Sequence, residues 1–145
     1  HGILKPGADA DPIFAPSREL DFELELGFYL GSPTLQGERV AIDRAEDHIL
    51  GVVIVNDWSA RDIQRFEYQP LGPFLAKSFA TSVGHWMVSL EALEPFRIPG
   101  PTQEPPVLPH LAATGPQHFD LRCEVAIVAD GVESVISRTS SRELY

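Results

Sequence analysis

The chain has 145 residues and a mass of 16.0 kDa, enough for one domain with a hydrophobic core. Its net charge of -10, from 21 acids against 11 bases, repels phosphate backbones and argues against nucleic acid as a partner. No apolar stretch approaches the roughly 20 residues of a membrane span, and the single cysteine, Cys123, excludes an intrachain disulfide and suits a reducing, cytoplasmic compartment.

In chain order, residues 1–18 are rich in Pro, Gly and Asp and read as irregular. "LDFELELGFYLG" then alternates with the period of a strand, Phe22, Leu24, Leu26 and Phe28 on one face and Asp21, Glu23 and Glu25 on the other. "GSPTLQGE" is turn chemistry, "RVAID" suggests a short strand, and "RAEDH" a short helix or turn. "ILGVVIV" is continuously apolar and rich in β-branched residues, the pattern of a central, buried strand. A helical signal follows, with Asp57 or Ser59 as cap and Ala60 to Phe66 as acceptable helix residues, and Pro70 with "LGP" ends it. "KSFATSVGHWMVSL" holds another strand near Trp86. From Pro95 to His118 runs a long loop with seven of the 13 prolines. The end is two strands around Asp130-Gly131, a strong hairpin signal, with Cys123 a buried, inert thiol on the first of them. The sum is a mainly β fold with one or two short helices, in one domain over residues 1–145. The absence of an initiating Met and the ending "SSRELY" suggest a piece of a longer chain.

Two groups of residues stand out chemically. Asp57, Arg61, Gln64 and Tyr68 are separated by four, three and four positions. At about 100° per residue they fall within roughly 60° of one another on a helix, with Ile63 and Phe66 opposite and Arg65 and Glu67 off the stripe, facing solvent. A solvated helix face would give the same spacing, but the stripe starts where a buried strand ends and carries no Lys or Glu. Glu23 and Glu25 share a strand face about 6.6 Å apart, within reach of one cation. If the two strands pair, Asp57 joins them; by itself the pair is equally the polar face of an edge strand. Lys77 and Thr81 lie four apart past a Gly-Pro turn, where a lysine can stabilise an oxyanion or simply be a surface lysine. No nucleophile elbow, dinucleotide fingerprint or P-loop is present, and none of the five histidines has metal-ligand spacing.

The segments "LDFELELGFYLG", "NDWSARDIQRFEYQPLGPFLAKSFATS" and, more weakly, "FDLRCEVAI" with "SRTSS" together resemble the fumarylacetoacetase family, the central part of its C-terminal catalytic domain. The resemblance implies a mixed β-sandwich or roll of that type. It also implies a divalent cation, Mg2+ or Ca2+ or both, and a homodimer. Glu23, Glu25 and Asp57 resemble carboxylate metal ligands of the family, and Lys77 and Thr81 match positions associated with its magnesium site. Arg61, Gln64 and Lys77 resemble its oxyanion-stabilising, catalytic groups, and Gln64 and Tyr68 its substrate-contacting positions. The sequence departs from the family at Ala76, usually Gly, and at His85, usually Pro.

The implied reaction is metal-dependent hydrolysis of the C–C bond of 4-fumarylacetoacetate, a small β-diketo acid, to fumarate and acetoacetate in tyrosine and phenylalanine catabolism. A histidine base and a further aspartate ligand are expected upstream of these residues, so the isolated piece is expected to be inactive. The alternatives are a related activity of the superfamily, acylpyruvate hydrolysis or keto-acid decarboxylation, and a non-catalytic acidic β module that binds a metal or a protein.

Overall fold

The computed structural model describes residues 1–143. Strands dominate it and the helices are short, as the sequence leads one to expect. The chain divides into two compact units: His1–Gly27 with Val53–Trp86, and Phe28–Val52 with the segment from Met87 onward.

In the first unit, β1 (Gly2–Leu4) pairs antiparallel with β2 (Ile13–Ala15). Then come β3 (Leu20–Asp21), the start of β4 (Leu24–Leu30), the end of β5 (Ile49–Asp57) and β6 (Ser59–Ala60). Helix α1 (Arg61–Leu71) and β7 (Thr81–Val83) complete it. β5 is central in the order β4-β5-β7, as its apolar run predicts, but it is buried only at residues 51–53, since Leu50 and Ile54 turn outward and are exposed; β3 pairs with β6. The core is small: Leu4, Ala60, Ile63 and Ala76, with Ala15 packed against it. β1 lies so close on α1 that a Cβ at Gly2 would stand 2.8 Å from the Ile63 side chain, so any larger residue there would have to push Ile63 out of the core.

Three expectations for this unit need correction. The alternating segment is not one strand: the ladder breaks at Phe22 and Glu23, between β3 and β4. Leu24, Leu26 and Phe28, which share one side of it, are exposed. Neither Asp57 nor Ser59 caps α1. Asp57 is still in β5, Ser59 is turned back so that its hydroxyl donates to the Asp57 carbonyl (3.1 Å), and the cap position is Ala60. The first helical N–H, that of Arg61, is satisfied by the Glu19 carbonyl at 2.9 Å instead. The strand placed near Trp86 is β7, which stops at Val83, where Gly84 donates to the Ile54 carbonyl (2.8 Å); Trp86 itself is outside it and 87% exposed.

Asp62 anchors the helix. It is buried, and its carboxylate accepts from the Ser17 hydroxyl (2.6 Å), the Arg18 N–H (2.8 Å) and the Ile63 N–H (2.9 Å). Burial pushes its pKa up, but these donors outweigh that and hold it below the ordinary aspartate value. Removing a buried charged acceptor from partly buried donors costs about 2–3 kcal/mol. In the full-length protein, Asp62→Ala is therefore expected to lower unfolding free energy by about that amount in urea titrations. A lowered folded pKa contributes stability above the unfolded value and loses it as pH falls through the folded value. The gap between wild type and variant should be constant near neutrality and close below about pH 4. A gap independent of pH would refute the charged role.

The second unit carries the remaining stretches of β4 and β5, with Gly31 donating to the His48 carbonyl at 2.9 Å. "RVAID" is not a strand: Ile42–His48 form a 3-10 helix, held by the i,i+3 pair Arg44–Asp47, and Val40 and Ile42 are exposed. Val52 and Val88 exchange two backbone hydrogen bonds, at 2.8 and 2.9 Å. Next is α2 (Leu90–Leu93), capped by Ser89. The proline-rich loop is interrupted by a short ladder of β8 (Arg97–Ile98) with β9 (His118–Phe119). Arg97 fixes that ladder through Glu46 and Glu94, with its guanidinium 4.7 Å from the centre of the Phe119 ring. β10 (Arg122–Ala129) and β11 (Val132–Ser140) form the expected hairpin. Asp130 and Gly131 both have positive φ (52° and 77°), the backbone a two-residue hairpin turn needs. Cys123 is on β10 but half-buried rather than buried.

Candidate active site

The site forms in the first unit, where β5 ends and α1 begins. Asp57 is the last residue of β5, and the β5–β7 register sets Thr81 directly opposite it. Glu23 lies at the break between β3 and β4. Its N–H donates to the Asn56 side-chain carbonyl (3.1 Å), and its own carbonyl accepts from Asp57 N–H (3.1 Å). An asparagine side chain thus replaces a ladder partner and holds Glu23 beside the strand end. Carboxylate oxygens of Glu23, Glu25 and Asp57 come within 4.8 Å of one another.

Two cations are woven into these acids. Lys77 Nζ, its side chain 18% exposed, donates to Glu23 Oε2 (2.5 Å) and Asp57 Oδ2 (3.0 Å). Arg61 spreads its fork over three partners: Nε to Asp21 (2.8 Å), Nη2 to Glu23 (2.9 Å) and Nη1 to the Gln64 side-chain oxygen (2.9 Å). Ammonium has three N–H donors and guanidinium five, so one on Lys77 and two on Arg61 remain beyond those fixed contacts. Lys77 holds the Glu23 carboxyl below its usual range, with Arg61 adding to the effect. Arg61 does the same for Asp21, helped by the Phe22 N–H. Burial disfavours the charged Lys77, but the hydrogen bonds it donates to Glu23 and Asp57 prevail and raise its pKa.

The residues singled out by sequence therefore divide. Glu23, Glu25, Asp57, Arg61, Gln64 and Lys77 converge, and Thr81 joins through register. Asp57 contributes from the strand end, not as the first residue of a helical stripe; Arg61, Gln64 and Tyr68 are the part that α1 carries. Tyr68 is 51% exposed and makes no side-chain hydrogen bond among the described residues. Glu67 is not simply facing solvent: its carboxylate accepts three backbone N–H groups, from Phe74, Leu75 and Ala76. Asp21, Asn56, Asp62 and Glu67 carry structural contacts that composition and spacing did not single out. The only available signal was their position inside "LDFELEL" and "NDWSARDIQRFE". A cleft of about 150 Å3 lined by Leu4, Lys5, Ile13, Arg18, Asp62 and Arg65 shares no residue with the acid cluster.

The donor set fits a hard divalent cation. All three converging ligands are carboxylates, the oxygen chemistry such ions take. Counting Asp21, Glu23, Glu25 and Asp57 against Arg61 and Lys77 gives four negative and two positive charges, a formal excess of two.

An acid cluster at a strand end, flanked by a lysine and an oriented arginine and amide, is the kind of centre hydrolases use. Residues 5–145 match the fumarylacetoacetate (FAA) hydrolase C-terminal family, and the chain belongs to that family. It is 42% identical to fumarylacetoacetase of Rattus norvegicus over 146 residues, covering 99% of this chain and 35% of that protein. It is 49% identical to fumarylacetoacetase of Caenorhabditis elegans over 137 residues, covering 92% of this chain and 33% of the relative. For fumarylacetoacetase of Arabidopsis thaliana the identity is 44% over 142 residues, with 97% and 34% covered. The chain thus spans about a third of the length of these relatives. No helix among the described residues is long and apolar enough to cross a membrane.

Proposed function

We propose that the protein containing this chain is a metal-dependent hydrolase of the C–C bond in 4-fumarylacetoacetate, releasing fumarate and acetoacetate in tyrosine and phenylalanine breakdown. The observation that carries this reading is the convergence of Glu23, Glu25 and Asp57 within 4.8 Å, with Lys77 bonded to two of them. The names of the relatives, all fumarylacetoacetases, favour this β-diketo acid over an acylpyruvate or a keto acid to be decarboxylated. Residues 1–145 are read as part of one catalytic domain of a cytoplasmic homodimer without nucleic-acid or membrane partners. The -10 charge and the family support that reading.

Glu23, Glu25 and Asp57 would hold Mg2+ or Ca2+, with Lys77 and Thr81 bordering the site. A bound divalent cation supplies Lewis-acid polarisation of a chelated diketone and charge neutralisation for the leaving enolate. The chain's own residues do the rest. Arg61 and Lys77 aim their remaining N–H donors at the oxygen that becomes negative when water attacks the acyl carbon. Gln64, fixed by Arg61, and Tyr68 at the open end of α1 bind and orient the substrate. Water adds across the C–C bond: its oxygen and one hydrogen remain on the new fumaryl carboxyl group, and its other hydrogen ends on the acetoacetate carbon. The base that takes the first proton is assigned to no residue of this sequence.

The test is a substrate panel with full-length, Mg2+-loaded protein. Fumarylacetoacetate is expected to turn over at least 100-fold faster, by kcat/KM, than an acylpyruvate or a decarboxylation substrate. Turnover of an acylpyruvate alone would move the protein to the neighbouring activity. Cation binding without turnover of any of them would leave an acidic binding module.

A further inference from the structure

Glu67 is the least expected group in the first unit. It sits on α1 six residues after Arg61, and its carboxylate reaches across to the turn that precedes Lys77. Oε2 accepts the N–H groups of Phe74 (2.8 Å) and Ala76 (3.1 Å), and Oε1 that of Leu75 (3.1 Å). Three successive N–H groups pointing at one carboxylate form an anion-binding nest, closed by a side chain of the same chain. The turn is also closed on itself, since Lys77 and Ser78 donate to the Phe74 carbonyl at 3.1 and 3.0 Å. It is further tied to the helix start, because the fully buried Ala76 accepts at its carbonyl from Ala60 N–H at 2.9 Å. Ala60 immediately precedes Arg61. The backbone from which Lys77 projects is thus referenced to the element that carries Arg61 and Gln64.

We propose that Glu67 is a positioning residue that sets the place of Lys77 against Glu23 and Asp57. The role rests on the hydrolase reading of the same acid cluster, but its geometry is independent of the substrate. Without the carboxylate, three N–H groups lose their acceptor and only the Ala60–Ala76 backbone bond still ties the turn to the start of α1. Lys77 Nζ then spends less of its time bridging the two acids, although every group of the acid cluster is still present. A purely stabilising Glu67 would lower folding stability and leave Lys77 where it is.

The experiment uses the full-length protein with saturating Mg2+ and two readouts. The first is the rate at which an amine-modifying reagent labels Lys77, followed by mass spectrometry against the exposed Lys5 as internal reference. Glu67→Ala is expected to raise relative labelling of Lys77 about tenfold. Glu67→Gln keeps the length and one acceptor oxygen, and is expected to give a smaller rise. The second is a kinetic cycle: Glu67→Ala should lower kcat about 10- to 100-fold with little change in KM, and should cost almost nothing further in a Lys77→Met background. Unchanged labelling, or losses that multiply in the double variant, would overturn the proposal. If Glu67→Ala does not fold, labelling in Glu67→Gln decides by the same criterion. A protein inactive on every substrate would refute the hydrolase reading while the labelling result still decides the role of Glu67.

Discussion

Replacing Glu23 with alanine in the full-length protein should weaken Mg2+ or Ca2+ binding by about 100-fold and reduce turnover to a similar extent. The expectation follows from charge count and ligand number, which set the affinity of oxygen-ligand sites for divalent ions. Glu23 is the acid most deeply engaged in the cluster: it bridges Lys77 and Arg61, and its backbone is held by Asn56 and Asp57. Its removal subtracts a ligand and leaves two cations facing the remaining acids, both of which repel an incoming metal ion. Glu23→Gln, of the same size, should behave almost as badly, because the charge and not the volume is lost. Glu19→Ala is the matched control: Glu19 is exposed and paired with Arg65, and it lies outside the cluster. Titration calorimetry is the measurement, and affinity unchanged in Glu23→Ala would remove Glu23 from the ligand set.

Arg61→Met and Lys77→Met should each lower kcat by about 10²- to 10³-fold, which is roughly 3–4 kcal/mol of transition-state stabilisation per donor. The free N–H groups of both residues are oriented before substrate arrives, because the others are bound to Asp21, Glu23, Gln64 and Asp57. Preorganised donors of this kind act on charge that develops only in the transition state, so KM should move much less than kcat. Arg61→Lys should not rescue. An ammonium cannot reach Asp21, Glu23 and Gln64 at once, because that grip depends on the planar fork. Single-turnover rates are the readout, and a change confined to KM would reassign these residues to ground-state binding.

Much of this was legible in the sequence, for identifiable reasons. A continuous β-branched run located β5, helix-forming residues with a Pro-Gly stop located α1, and the Asp-Gly dipeptide located the hairpin turn, because each is a local property. The spacing of Arg61, Gln64 and Tyr68 gave a helix face for the same reason. What was not legible depends on non-local partners. Asp57 was assigned to the helical stripe, yet it is the end of β5 that brings it to Glu23, Glu25 and Lys77. The break at Phe22 and Glu23 is invisible in an alternating pattern, since the residue that replaces the ladder partner, Asn56, is 33 positions away. Glu67 read as solvent-facing because the N–H groups that donate to it lie beyond Pro70, in a turn whose return to α1 no period announces.

Helix α1 also shows how narrowly this centre is specified. Arg61 grips the acids, Asp62 is bonded to Ser17 and Arg18, Arg65 to Glu19, and Glu67 to the turn before Lys77. These contacts point to different sides of one short helix, so together they allow a single rotational phase. One residue inserted or lost before Arg61 would turn the helix by about 100° and misdirect all of them in one step. Individual side chains on α1 are open to exchange at graded cost, whereas the number of residues between β5 and Arg61 is not.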